Sequence, residues 1–227
     1  MSTILALSHV AKSFGKVSVL KNLSLKMKEG ETIGLIGPSG CGKSTVFRII
    51  LGYYAPDEGS ISFRGKKLNI KKLRRIVGYT TQDDSFYAKL TVMENMMYYA
   101  RLYSVRQKNL KKHVIELLKD VQLAHAKDQF VSNLSGGMRR RLNFAISLVH
   151  DPELLIMDEP TTGLDPLLVE QFWSVVNKVK KKGKTVLVSS HILDEIEQNC
   201  DRVALMANGR IQKIIKPHNV LAQFRKL

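Results

Sequence analysis

The chain has 227 residues, 44% of them hydrophobic and 25% charged. That composition supports a sizeable core, as one large domain or two small ones. It excludes a membrane-spanning helix: no uncharged stretch exceeds 11 residues, the length of residues 32–42 with their four glycines, where a span needs about 18 or more apolar residues. Lysine and arginine total 36 against 20 acids, a formal charge of +16, and such a surface attracts nucleotide, anionic lipid or nucleic acid.

Residues 1–10 carry no basic leader ahead of an apolar core, so no secretory signal is expected. Segments 4–10 and 23–27 read as strands. Residues 32–36 are apolar throughout, as in a strand buried on both faces. They run into Gly37-Pro38-Ser39-Gly40-Cys41-Gly42-Lys43-Ser44, which fits the pattern G-x-x-x-x-G-K-[S/T], and residues 45–51 then read as a helix. Strand, glycine loop and helix are the setting in which this pattern wraps the phosphates of a nucleoside triphosphate. Glycines let the backbone approach the phosphates and turn its N–H groups inward. Lys43 is expected to reach the β- and γ-phosphates, the Ser44 hydroxyl to serve Mg²⁺, and Thr45 to add a phosphate contact. Cys41, inside the loop, and Cys200 are the two cysteines of the chain. They lack metal-like spacing and read as reduced thiols.

Strand-like residues 60–63 lead into a basic run, Arg64, Lys66, Lys67, Lys71, Lys72, Arg74 and Arg75, with no acid among them. A strand is expected over 76–80. From 84 to 149 the pattern is helical, clearest over 92–103 and 108–118. Leu134-Ser135-Gly136-Gly137-Met138-Arg139 opens an amphipathic helix over 138–149, a second glycine-rich helix start suited to an anion. One nucleotide has no need of two such cradles from one chain, so this one is read as serving a nucleotide held mainly by another subunit. Taken alone, an ordinary N-cap serine is the competing reading.

The apolar strand 154–157 ends in Asp158-Glu159, at the strand end where parallel α/β sheets bind ligands. Asp158 suits Mg²⁺ through water, and Glu159 suits polarisation of an attacking water. Helix 166–182, strand 185–189, helix 192–199 and strand 202–206 alternate as in an α/β fold with a mostly parallel sheet. Lys178, Lys180, Lys181, Lys182 and Lys184 form a second basic run. Asn208-Gly209 reads as a hairpin turn into residues 211–215.

Together these motifs resemble the nucleotide-binding subunit of ATP-binding cassette (ABC) transporters. Leu134-Ser135-Gly136-Gly137 resembles the signature particular to that family, and the order and spacing match over nearly the whole chain. The resemblance implies one domain over 1–227. Its P-loop NTPase core spans 1–83 and 150–227, with a mainly parallel sheet and an N-terminal antiparallel β part, and a helical subdomain is inserted over 84–149. It further implies that Gln82 touches Mg²⁺ and water and senses the membrane partner. His191 supports the γ-phosphate, Leu164-Asp165 crosses a dimer interface, and Phe14 stacks on adenine.

Two copies, or one copy and a homologue, would hold ATP between residues 37–45 of one chain and Ser135, Gly136 and Gly137 of the other. An integral membrane permease is the implied partner. The chain would lie at the cytoplasmic face of the membrane, in peripheral contact with its surface, with no nucleic acid. Met138 stands where many members have glutamine, and Thr162-Gly163 replaces a commoner serine-alanine; neither removes a phosphate donor or a Mg²⁺ ligand. The wording around Arg139-Arg140-Arg141 and Thr161-Thr162-Gly163 is similar to the drug, antibiotic and polysaccharide exporters of bacteria and archaea. An importer subunit with the same chemistry, and an ABC-type ATPase acting on ribosomes or nucleic acid, are the alternatives. The charge of +16 favours the latter, while the single cassette without a long coiled-coil insertion argues against it.

Overall fold

A computed structural model describes residues 2–67, 70–81, 83, 85–106 and 108–225. The chain divides into two compact units, Met1–Arg74 with Thr185–Leu227, and Arg75–Lys184. The first begins with strands β1 (Thr3–Phe14), β2 (Val17–Lys28) and β3 (Thr32–Ile36), helix α1 (Lys43–Ile50), β4 (Glu58–Phe63), β5 (Lys66–Lys67) and helix α2 (Ile70–Ile76). The second contains β6 (Val77–Thr80), α3 (Val92–Leu102), α4 (Leu110–Asp120), α5 (Gly136–Leu148), β7 (Leu154–Asp158) and α6 (Pro166–Lys180). The chain returns to the first unit with β8 (Thr185–Ser189), α7 (Leu193–Asn199), β9 (Arg202–Ala207), β10 (Arg210–Ile215) and α8 (Val220–Phe224).

In the first unit β1 and β2 form an antiparallel hairpin, and β4 and β5 extend it in the order β2-β1-β4-β5. Its alternating buried and exposed residues fit a sheet with one face on a core. The neighbouring order β10-β9-β3-β8 is parallel except for β10. β3 and β8 are buried along their whole length, which explains why residues 33–36 and 186–188 are apolar without a break. A Cβ on Gly34 would lie 2.6 Å from Ile196 Cγ2, so the missing side chain lets α7 press directly on β3. Asn208 and Gly209 both have positive φ, 51° and 76°, the geometry of a type I′ hairpin turn.

In the second unit β6 and β7 pair in parallel. A Cβ on Gly78 would stand 2.1 Å from the Ser147 carbonyl oxygen, so α5 lies on β6 with backbone against backbone. Thr80 Oγ1 donates to Ser147 Oγ (3.0 Å), which donates to Phe144 O (2.7 Å). Phe144 and Phe172 meet edge to face with centroids 5.6 Å apart and join α5 to α6. Among the described residues no helix is long and apolar enough to cross a membrane.

The expected alternation of strands and helices is present, with boundary differences. Ile76 ends α2, so the strand starts at Val77. Ile70, Leu73 and Ile76 recur every three residues within the basic run, but α2 has only 7 residues, too few turns for that spacing to stand out. The first hairpin is longer than expected because its outer halves alternate with lysine and serine, whose solvent-facing positions interrupt any apolar run.

Candidate active site

The phosphate loop joins β3 to α1. Gly40 and Gly42 have φ of 76° and 110°, values that L side chains avoid. A Cβ on Gly37 would fall 2.3 Å from the Met206 carbonyl oxygen, whereas one on Gly40 would meet nothing within 4 Å. Gly37 therefore seats the loop on β9, and Gly40 leaves open space over the loop. α1 has no side-chain N-cap bond and no acid in its first turn. An uncapped helix start reached by glycines is suited to an anion. Lys43 Nζ donates to Gly37 O (2.7 Å) and Pro38 O (3.3 Å), holding its ammonium across the loop. Ser44 is exposed and Thr45 half-buried at the same helix start. Pro38, Ser39, Gly40 and Cys41 line an open groove of about 470 Å³ with Val17 to Val19 and Asn208. Burial lifts the Cys41 thiol above its ordinary value while the nearby Lys43 charge pulls it down, so Cys41 is not an activated thiolate.

Phe14 ends β1 and is 41% exposed. Tyr54 meets its ring edge-on at 5.0 Å, and Lys12 Nζ lies 5.6 Å from its centroid. Asp57 holds Lys12 (2.7 Å) and the Ser13 N–H (2.7 Å), fixing the strand end that carries Phe14. Tyr54 was not singled out from sequence. His191 follows buried β8 and is exposed; Ser190 Oγ accepts from Ile192 N (3.0 Å) and shapes the turn there.

In the second unit, β7 delivers Asp158 and Glu159 half-buried at its C-terminal end. Tyr79 donates to Asp158 Oδ2 at 3.5 Å, and Thr162 Oγ1 to Glu159 Oε2 at 3.4 Å. Glu159 has φ 47°, a left-handed conformation costing about 1–2 kcal/mol for a residue with a Cβ. Ser135 is the N-cap of α5 and accepts from Met138 N at 3.3 Å. A Cβ on Gly136 would meet nothing within 4 Å, while Gly137 packs on Leu168. Among the described residues, no packing contact requires a glycine at 136. Asp165 is the N-cap of α6 and accepts from Leu168 N at 3.0 Å. Arg140 donates to Thr162 O at 3.2 Å, tying α5 to the turn after Glu159. Gln82 lies outside the described residues.

The donor chemistry fits nucleotide and Mg²⁺. The first unit supplies an acid-free helix start and an ammonium. The candidate metal ligands, the Ser44 hydroxyl and the Asp158 carboxylate, are hard oxygens of the kind Mg²⁺ takes alongside water and phosphate oxygens.

A family model described as ABC transporter matches residues 20–162. The chain belongs to the ABC transporter family. It is an ATP-binding, ATP-hydrolysing subunit with the P-loop NTPase fold of the cassettes. The Nod factor export ATP-binding protein I of Rhizobium etli is 37% identical over 221 residues, covering 96% of this chain and 70% of that protein. The protein of the same name from Ralstonia nicotianae is 36% identical, with 96% and 68% covered. Among solved structures, part of an ABC transporter complex from Clostridium perfringens superposes with TM-score 0.91 at 30% identity, covering 98% of this chain and 92% of that one. An ATP-binding cassette of an ABC transporter in its ADP conformation gives 0.89 at 26%, covering 99% and 97%.

Proposed function

We propose that this subunit powers export through a separate membrane-spanning permease, working as a dimer with itself or a homologous ATPase subunit at the cytoplasmic face of the membrane. The observation that carries this reading is the presence of two glycine-led helix starts, one in each unit, with open space over Gly40 and over Gly136. One ATP fills one cradle; the second is complementary to the phosphates of an ATP held by another copy. The γ-phosphate then interacts with both chains only in the closed dimer, and that differential contact is what closes it. Hydrolysis and phosphate release remove it. The relatives named for export support that direction.

Residues 37–45 cradle the phosphates, with Phe14 against the adenine and Lys43 neutralising β- and γ-phosphate charge. Mg²⁺ held by Ser44, Gln82 and Asp158 would supply further neutralisation of the phosphoryl oxygens. Glu159 orients the attacking water and takes up its proton, and His191 supports the γ-phosphate. Ser135, Gly136 and Gly137 complete the site of the second chain, and Asp165 lies at that junction. Residues 84–149 act as a helical subdomain within one 1–227 domain and convey the change to the permease.

Glu159→Gln should keep ATP affinity, lower turnover at least about 100-fold, and elute as a dimer in ATP and a monomer without it. Lys43→Ala should lose ATP affinity in a titration. Wild-type turnover by the glutamine variant, or unchanged affinity in the alanine variant, would overturn these roles. Native membrane proteins captured on Glu159→Gln with ATP should include a polytopic chain in stoichiometric amount; capture of ribosomal proteins without one would overturn the permease reading.

A further inference from the structure

Asn143 sits in the middle of α5, eight residues beyond the Ser135 cap, and is 1% exposed. A buried primary amide inside a helix is costly unless both of its ends are bonded. Here Nδ2 donates to Thr81 O (3.1 Å) and Asp83 O (3.3 Å), and Oδ1 accepts from Ser85 Oγ. Thr81 and Asp83 are the chain neighbours of Gln82. Asn143 thus serves two carbonyls of the segment after β6, and Thr81 Oγ1 also donates to one of them, Asp83 O. A second buried amide, Asn95 on α3, closes the far end of the same segment: it accepts from Tyr87 N (2.8 Å) and donates to Tyr87 O (3.0 Å) and Thr91 O (2.9 Å). Tyr99 adds a hydrogen bond to Ser85 O. Among the described residues, the side-chain hydrogen bonds of Asn143 all go to Thr81, Asp83 and Ser85.

We propose that Asn143 is a positioning residue for ATP hydrolysis: it ties Thr81 and Asp83, the chain neighbours of Gln82, to the helix that carries the signature cradle. Displacement of α5 at Ser135 is then passed to the residues flanking Gln82, because the amide bridges them without an intervening flexible group. This rests on the role of Gln82 proposed above. Asn143 acts through Gln82, so its removal changes kcat and leaves ATP affinity, which depends on the phosphate loop, in place.

The test is a double-mutant cycle on the full chain with Mg-ATP, using Gln82→Ala, Asn143→Ala and the pair, with kcat and KM read separately. Expected are a kcat loss on the order of tenfold in Asn143→Ala, a KM within about twofold, and a double variant no slower than Gln82→Ala. Deuterium uptake over residues 81–87 should rise while that of residues 37–45 stays unchanged. Multiplicative losses, or wild-type kcat in Asn143→Ala, would overturn the proposal while leaving Gln82 in its role. Wild-type kcat in Gln82→Ala would instead overturn the role of Gln82, and the positioning proposal with it. If Asn143→Ala does not fold, Ser85→Ala removes one of the same bonds from the turn side; additivity with Gln82→Ala there overturns the proposal equally.

Discussion

His150 shows how one side chain sets an acid limit on stability. Its ring stacks on Tyr103 with centroids 4.1 Å apart, and Nε2 lies 3.1 Å from Val77 O. With the Nε2 hydrogen donated to that carbonyl, Nδ1 is a buried acceptor without a hydrogen-bond partner, and a second proton there would be stranded. Burial accordingly pushes the imidazole below its ordinary value, more strongly than the Val77 bond and Asp151 raise it. The unfolded chain therefore takes up this proton first as pH falls. The contribution is fully present above the ordinary histidine value near 6.5. It is lost as pH drops from there toward the lowered folded value. Melting temperature should fall between pH 7.5 and 5.5, and His150→Gln, which keeps an amide donor for Val77, should flatten that slope. An unchanged slope in the variant would assign the acid sensitivity elsewhere.

At the scale of elements, helix starts do two jobs that substitution can separate. Asp165 caps α6 through the Leu168 N–H and is also proposed to lie at the dimer junction. Asp165→Ala should cost about 1 kcal/mol in urea unfolding, the usual worth of an N-cap, and Asp165→Asn almost nothing. Turnover lost in the asparagine variant at unchanged stability would then report the junction role; equal turnover would leave only the cap. The elements themselves were largely legible because buried strands such as β3, β7 and β8 leave unbroken apolar runs and because glycine punctuates the loops. The candidate cradle residues stood out for another reason: the glycine spacing at two helix starts is of the kind phosphate binding demands. What stayed hidden was α2 in its basic run and the support of the site. Asn143, Thr162, Arg140 and Tyr54 act through individual hydrogen bonds or ring contacts, and a lone amide, hydroxyl, guanidinium or ring carries no periodic signal.

For the molecule as a whole, the charge of +16 is the dominant long-range property. In the first unit Lys66, Lys67 and Lys72 are exposed; in the second so are Lys178, Lys181 and Lys182, with Lys178 and Lys182 sharing Asp120. Exposed ion pairs of this kind add little to stability, so the excess charge remains to act outward. Peripheral binding to an acidic bilayer should follow. Co-sedimentation with vesicles containing anionic phospholipid should be strong at low ionic strength and fade as salt shortens the Debye length from about 30 Å at 0.01 M to about 3 Å at 1 M. Neutral vesicles should leave the protein in solution. Equal binding to both would point to apolar insertion.

The backbone at Glu159 has a consequence for descent as well as for chemistry. Its φ of 47° suits glycine or asparagine better than glutamate. The carboxylate is thus kept against the local conformational preference, as the role in turnover proposed for it requires. If Glu159 has the proposed role, then in a lineage that stops needing this copy to hydrolyse ATP its replacement by glycine or asparagine should relieve strain. A chain with the cradle intact and glycine or asparagine at 159 would mark a copy retained for binding ATP after its hydrolysis had been given up.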